Sequence, residues 1–167
     1  KTVITMVAGF RPQKDQDTLV KAFQYLPADQ YELWLIGDGE RRPEVMNLVD
    51  ELNLSAVVRF WGIRNDVPIL LKSSDIIIQS SHWEGFGLAA VEGMAAGKPV
   101  IASDVPGLAQ VVDGFGILFP HGDAKALADI ILHLHEDPVY YQQIADRCLH
   151  RAAEFDIHKT VDQYLQL

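Results

Sequence analysis

The sequence holds a single cysteine, Cys148, in 167 residues. A lone thiol excludes an internal disulfide and fits a reducing compartment. It falls in a stretch that reads as a terminal helix, where plain packing is the simplest role. Long apolar runs are missing too, and none approaches the length of a membrane span. No signal peptide is visible, although the chain opens on Lys1 rather than Met, which leaves a removed leader open. Basic residues are scarce, with 14 Lys and Arg against 23 Asp and Glu. That balance argues against a nucleic-acid partner. There is no G-x-S-x-G elbow, no Walker lysine and no zinc spacing. No repeat, low-complexity tract or linker divides the chain, so residues 1–167 read as one domain with enough length for a substantial core.

What is present is alternation. Short apolar runs at 2–8, 31–36, 57–61, 75–79, 99–102 and 116–119 read as six strands. Helical spacing follows each of the first five. Asp17-Thr18 is placed to cap a helix reaching Leu26, and Asp66 a short one carrying Val67, Ile69, Leu70 and Leu71. Others are expected over 42–52, 88–97 and 108–112. After the sixth strand the chain is helical, with a run capped by Asp123, a second opened by Asp137-Pro138, and a last over 158–166. This alternation predicts an α/β fold, a Rossmann-like parallel six-stranded sheet with helices on both faces.

The fourth strand leads into Ser80-Ser-His-Trp-Glu-Gly-Phe-Gly-Leu-Ala-Ala-Val-Glu92. Gly85 and Gly87 break the chain around Phe86, and helix formers begin at Leu88. A helix that starts just past the carboxyl end of a strand lies where open α/β sheets bind ligands. Its first-turn N–H groups, at Phe86, Gly87, Leu88 and Ala89, suit a phosphate. Glu84 borders the same mouth, and Glu92 can reach back toward it because helical side chains tilt to the N-terminus. A carboxylate suits a vicinal diol. The layout predicts an anion flanked by two hydroxylated groups, the form of a nucleotide sugar. Phe86 can equally plug the core, and Glu92 is expected on a buried helix face because Ala, Val, Gly and Met surround it.

Glu84-Gly-Phe-Gly-Leu-Ala-Ala-Val-Glu92, with Gly97-Lys-Pro-Val-Ile-Ala-Ser103 after it, closely resembles the E-x7-E signature of retaining GT-B glycosyltransferases of family 4. The likeness extends over essentially the whole chain, but over only the carboxyl-terminal, donor-binding half of such an enzyme. It implies transfer of a sugar from a nucleoside diphosphate sugar, with Glu84 on the sugar and Glu92 on the ribose. It also implies an arginine and a lysine from the first loop as the diphosphate clamp. Lys14 falls on the lysine position. The arginine position is Gly9, so either Arg11 reaches in or the clamp has one cation fewer. Gly62, Ile63 and Arg64 lie where the family's base pocket begins, and Gly37-Asp38-Gly39 at its mouth, the latter read more simply as a tight turn.

The resemblance implies neither cofactor nor metal, and His82 has no His, Asp or Cys at ligand spacing. Trp34, Trp61 and Trp83 read as core or rim, and Ser103-Asp104 as a helix cap. The implied partner is an amino-terminal acceptor domain in cis, without which the fragment is expected to bind nucleotide but not turn over. The expected location is the cytoplasm, with the inner face of the membrane as a peripheral alternative. Two other readings stay open, an epimerase-like GT-B domain and a non-catalytic interaction module that keeps the fold.

Overall fold

The structure is a computed structural model that describes residues 1–155, so the helix expected over 158–166 lies outside the described residues. Six strands, β1 (Thr2–Val7), β2 (Tyr31–Ile36), β3 (Val58–Gly62), β4 (Ile76–Gln79), β5 (Val100–Ser103) and β6 (Ile117–Phe119), form one sheet. The order is β3-β2-β1-β4-β5-β6, and every neighbouring pair is parallel. Each expected strand is present within about a residue or two of its expected ends.

Among the described residues five α-helices connect them, α1 (Gln16–Ala22), α2 (Arg42–Glu51), α3 (Val67–Ser73), α4 (Leu88–Ala95) and α5 (Pro106–Val112), and two follow β6, α6 (Ala124–Glu136) and α7 (Pro138–Glu154). From β1 the chain steps outward to β2 and β3, then returns past β1 to β4, β5 and β6. Right-handed crossovers in opposite directions put the connecting helices on opposite faces. Accordingly α1 contacts α2 and α6, while α4 contacts α5 and α7. None of the described helices is long and apolar enough to cross a membrane.

The helix caps follow local chemistry with two corrections. α1 is capped by Asp15, not Asp17. Asp15 takes a left-handed conformation (φ 51°) after a turn of 3-10 helix at Pro12–Lys14, and its carboxylate accepts from the Thr18 N–H and hydroxyl. Asp66 stands at the start of α3 but caps nothing, because both its oxygens are taken by Arg64 at 2.9 Å. Asp123 and Asp137 do cap α6 and α7, accepting from the N–H groups of Ala126 and Tyr140.

Because both faces are covered, the central strands read as unbroken apolar runs. Ile76, Ile77 and Ile78 are fully buried, as are Val100, Ile101 and Ala102. Cys148 is buried on α7, and burial pushes its thiol up to about 11. It is a packing residue without nucleophilic character at neutral pH.

α4 lies close on β4 because Gly93 faces the strand. A Cβ there would meet Ile77 Cγ2 at 2.8 Å, and a β-branched side chain has little freedom to move aside. Gly93→Ala is therefore expected to destabilise the fold by about 1–3 kcal/mol through overpacking, measured by urea unfolding. Adding Ile77→Ala is expected to cost less than the sum of the two single changes.

Candidate functional site

β1 is flanked by β2 on one side and β4 on the other, and the connections leave it in opposite directions. Ligands of open α/β sheets bind in the crevice at this kind of switch point, beyond the carboxyl ends of the strands. Two loops meet there, 8–15 after β1 and 80–87 after β4. They are stitched together by the His82 N–H donating to the Gln13 carbonyl at 2.7 Å and the Ser80 hydroxyl to the Asp15 carbonyl at 2.8 Å. Gln16 is buried at the start of α1, and its side-chain amide donates to the Gly9 carbonyl at 3.0 Å.

This stitching brings Lys14 and Glu84 together. The Lys14 Nζ donates to Glu84 Oε1 at 2.5 Å, with the two side chains 21% and 12% exposed. The Ser81 hydroxyl donates to the same oxygen at 2.8 Å. No described residue bonds Glu84 Oε2, so one acceptor of a positioned carboxylate remains available to a hydroxyl. Behind the loop, the backbone of Glu84 and Gly85 rests on Gly107 at the start of α5. Any side chain at 107 would begin 2.0 Å from the Glu84 carbonyl oxygen. Gly107 and Ser81 were not singled out in the sequence; the Val-Pro-Gly turn is the only local signal for the former.

Beside the ion pair, α4 begins. Gly87 stands at its N-cap in a left-handed conformation (φ 74°), and no side chain caps the helix. The N–H groups of Leu88 and Ala89 have no acceptor among the described residues. They are donors at the positive end of a helix dipole, the arrangement that binds anions. Phe86 is not a core plug. It is half exposed and meets Phe155 edge-on at 5.6 Å between ring centres. Phe155 in turn lies under the Arg151 guanidinium, which also covers Phe115, so the loop is braced by a stack running back along α7.

Glu92 departs from its expected burial. The residue is exposed, with no hydrogen-bond partner among the described residues, and faces a cavity of about 270 Å³ between α3 and α4. Val67, Pro68, Leu71 and Lys72 form the opposite wall. Partial burial raises the Glu92 pKa above its ordinary value even though one side is open. The cause of the misjudged burial is rotation: Ala90, Val91, Gly93 and Met94 turn inward and leave residue 92 outside.

The remaining expected residues divide. Arg11 is exposed in the β1 loop, and its Nε lies 3.6 Å from where a side chain at Gly9 would begin. Arg11 thus occupies the neighbourhood of position 9, and Gly9 itself has room for a side chain. Gly62 ends the edge strand β3, with its carbonyl accepting from the Gly37 N–H at 2.8 Å. Ile63 is open to solvent, and the Arg64 charge is spent on Asp66. Gly37-Asp38-Gly39 is a supporting turn, with the Asp38 carbonyl accepting from the Phe10 N–H at 3.0 Å. Trp34 and Trp61 pair edge-to-face near the β3 edge, while Trp83 stands on the rim, largely exposed. His82 has the companions that sequence spacing did not reveal, because the fold sets Asp15 and His121 beside it.

Residues 1–151 match the family described as glycosyl transferases group 1. The chain belongs to this family. Among curated relatives, N-acetyl-alpha-D-glucosaminyl L-malate synthase of Bacillus anthracis is 31% identical over 166 residues, 97% of this chain and 44% of the relative. Among solved structures, Anabaena HepE in complex with UDP-glucose superposes with a TM-score of 0.94 at 30% identity, covering 99% of this chain and 48% of HepE. Sucrose-phosphate synthase of Thermosynechococcus elongatus gives 0.93 at 31% identity, covering 99% and 44%. The chain spans about half the length of the group 1 proteins it matches, and its fold is that of a GT-B half.

The raised Glu92 pKa carries a stability signature. In the folded state the protonated form is favoured, so stabilisation is present at acid pH and is lost as pH rises through the folded pKa. Glu92→Gln is expected to raise the melting temperature slightly at neutral pH. The gain should vanish at pH values below the ordinary glutamate range, as read by thermal scans at several pH values.

Proposed function

We propose that this chain is the donor-binding domain of a retaining glycosyltransferase, taking a nucleoside diphosphate sugar and working with an acceptor domain in cis. The observation that carries this reading is the Lys14–Glu84 pair held at the switch point beside the uncapped start of α4. Cation, carboxylate and free backbone donors converge there, which is what a diphosphate joined to a sugar demands. HepE, a relative in sequence and fold, is described in complex with UDP-glucose, which supports the same ligand class here.

In this reading the diphosphate sits against Lys14 and the amides of Phe86, Gly87, Leu88 and Ala89, with Arg11 as the second cation. Glu84 accepts from sugar hydroxyls through Oε2 and keeps Lys14 oriented through Oε1. Glu92 accepts from the ribose in the cavity between α3 and α4, and the backbone at Gly62, Ile63 and Arg64 meets the base. As the bond to the leaving diphosphate breaks, Lys14, Arg11 and the helix dipole stabilise the negative charge without a catalytic metal. No carboxylate acts as a covalent nucleophile. The sugar is transferred in the cleft against the acceptor domain, in the cytoplasm or at its membrane face, so residues 1–167 alone bind without turnover.

A second reading, an interaction module that keeps the fold, draws its support from Gly9 at the position of the family arginine. Calorimetric titration with UDP, GDP and ADP separates the two. One nucleotide is expected to bind, with Lys14→Ala and Glu92→Ala each weakening it about tenfold or more, the scale of a charged hydrogen bond. Binding by Gly9→Arg but not by the parent would favour the module, and binding by neither would overturn the donor site.

A further inference from the structure

On the same rim, but outside the residues assigned above, three loops bring together two histidines and an aspartate. Asp15 comes from the loop after β1, His82 from the loop after β4, and His121 from the loop after β6. One ligand atom from each lies within 4.8 Å of the others. The imidazoles of His82 and His121 face each other, with His82 Nδ1 against His121 Nε2 and ring centres 4.6 Å apart at 84°. His82 Nε2 lies 3.7 Å from Asp15 Oδ1.

We propose that Asp15, His82 and His121 form a binding site for a divalent transition-metal ion of the zinc class. Two imidazoles and one carboxylate are ligands this class prefers, and three protein ligands leave one position for water. The placement is built rather than incidental. Asp15 is buried and held by Thr18, while the His82 backbone is tied to Gln13. On the third loop, the Asp104 N–H donates to the Phe119 carbonyl two residues before His121. The Ser103 hydroxyl donates to the Ser81 carbonyl, joining the end of β5 to the loop of His82. Asp15 keeps lone pairs on both oxygens after accepting from Thr18, so capping and ligation are compatible. The two facing imidazole nitrogens either share one proton in a hydrogen bond or both turn their lone pairs on a cation, and the nearby Asp15 carboxylate adds a third ligand atom for the latter.

An ion here would fasten the loop after β6 to the two loops that are already stitched together. It neighbours Lys14 and Glu84 in sequence but takes its ligands from residues with no place in nucleotide binding, so it is independent of the donor reading.

The test is zinc binding by the 167-residue chain, without nucleotide, by equilibrium dialysis, with cobalt as a spectroscopic stand-in. One equivalent of zinc is expected, with the visible bands of four-coordinate cobalt. His82→Ala and His121→Ala should each weaken it at least about tenfold, as loss of even a supporting group does. Zinc should raise the melting temperature of the parent and leave that of His121→Ala unmoved. Nucleotide affinity in chelator should be the same in parent and His121→Ala. No stoichiometric binding, or binding that survives both histidine substitutions, would overturn the site and leave a hydrogen-bonded histidine pair.

Discussion

Everything at the candidate site depends on the parallel pairing of β1 with β4. The pairing itself is short, aligning Ile4 with Ile76 and Thr5 with Ile77. β1 runs on to Val7 and β4 to Gln79 along their other neighbours before each gives way to a loop. Side-chain and backbone bonds then take over, from Ser80, His82 and Lys14, and they fix two loops that would otherwise diverge. The buried Thr5 hydroxyl also bonds Ser74 at 2.6 Å, fastening the strand start on the other end. A ligand arriving at the crevice finds a surface whose ordering entropy has already been met by folding.

The charge arrangement has its own logic. The protein is acidic overall, with a net charge of −9, yet its candidate ligand is an anion. Long-range attraction therefore contributes nothing favourable, and recognition must be short-ranged. Lys14 is half-buried and paired with Glu84, so its charge is aimed but also partly neutralised. The α4 amides carry no such competitor. In the proposed donor reading, a diphosphate would meet free donors at the helix start and would share Lys14 with Glu84.

Much of this was legible in the sequence because the signals were local. β-branched runs marked the strands, Asp123 and Asp137 marked two caps, and Glu84-Gly-Phe-Gly marked the loop before α4. What escaped notice depends on geometry that the residue types alone do not give, whether the neighbour is near in the chain or far. Asp15 outcompetes Asp17 as a cap because the preceding turn delivers it in a left-handed conformation. Arg64 stands in sequence where a base pocket is expected to begin, and its guanidinium is paired with Asp66 two residues on. Glu92 looks buried by composition and is exposed by its angle on the helix. The meeting of His82 with His121 has no trace in spacing, since two strands and two helices separate them.

The stack of Phe86, Phe155, Arg151 and Phe115 carries a lesson about boundaries. The family match spans residues 1–151, and the ring that meets Phe86 is contributed four positions later. Arg151 also ties α7 to the end of α5 by donating to the carbonyls of Gln110 and Val111. A chain trimmed to residues 1–151 would keep every described strand and every candidate ligand contact. It would nonetheless lose the Phe155 ring that stands between Arg151 and the loop before α4, so a boundary drawn by sequence similarity cuts through a packing contact.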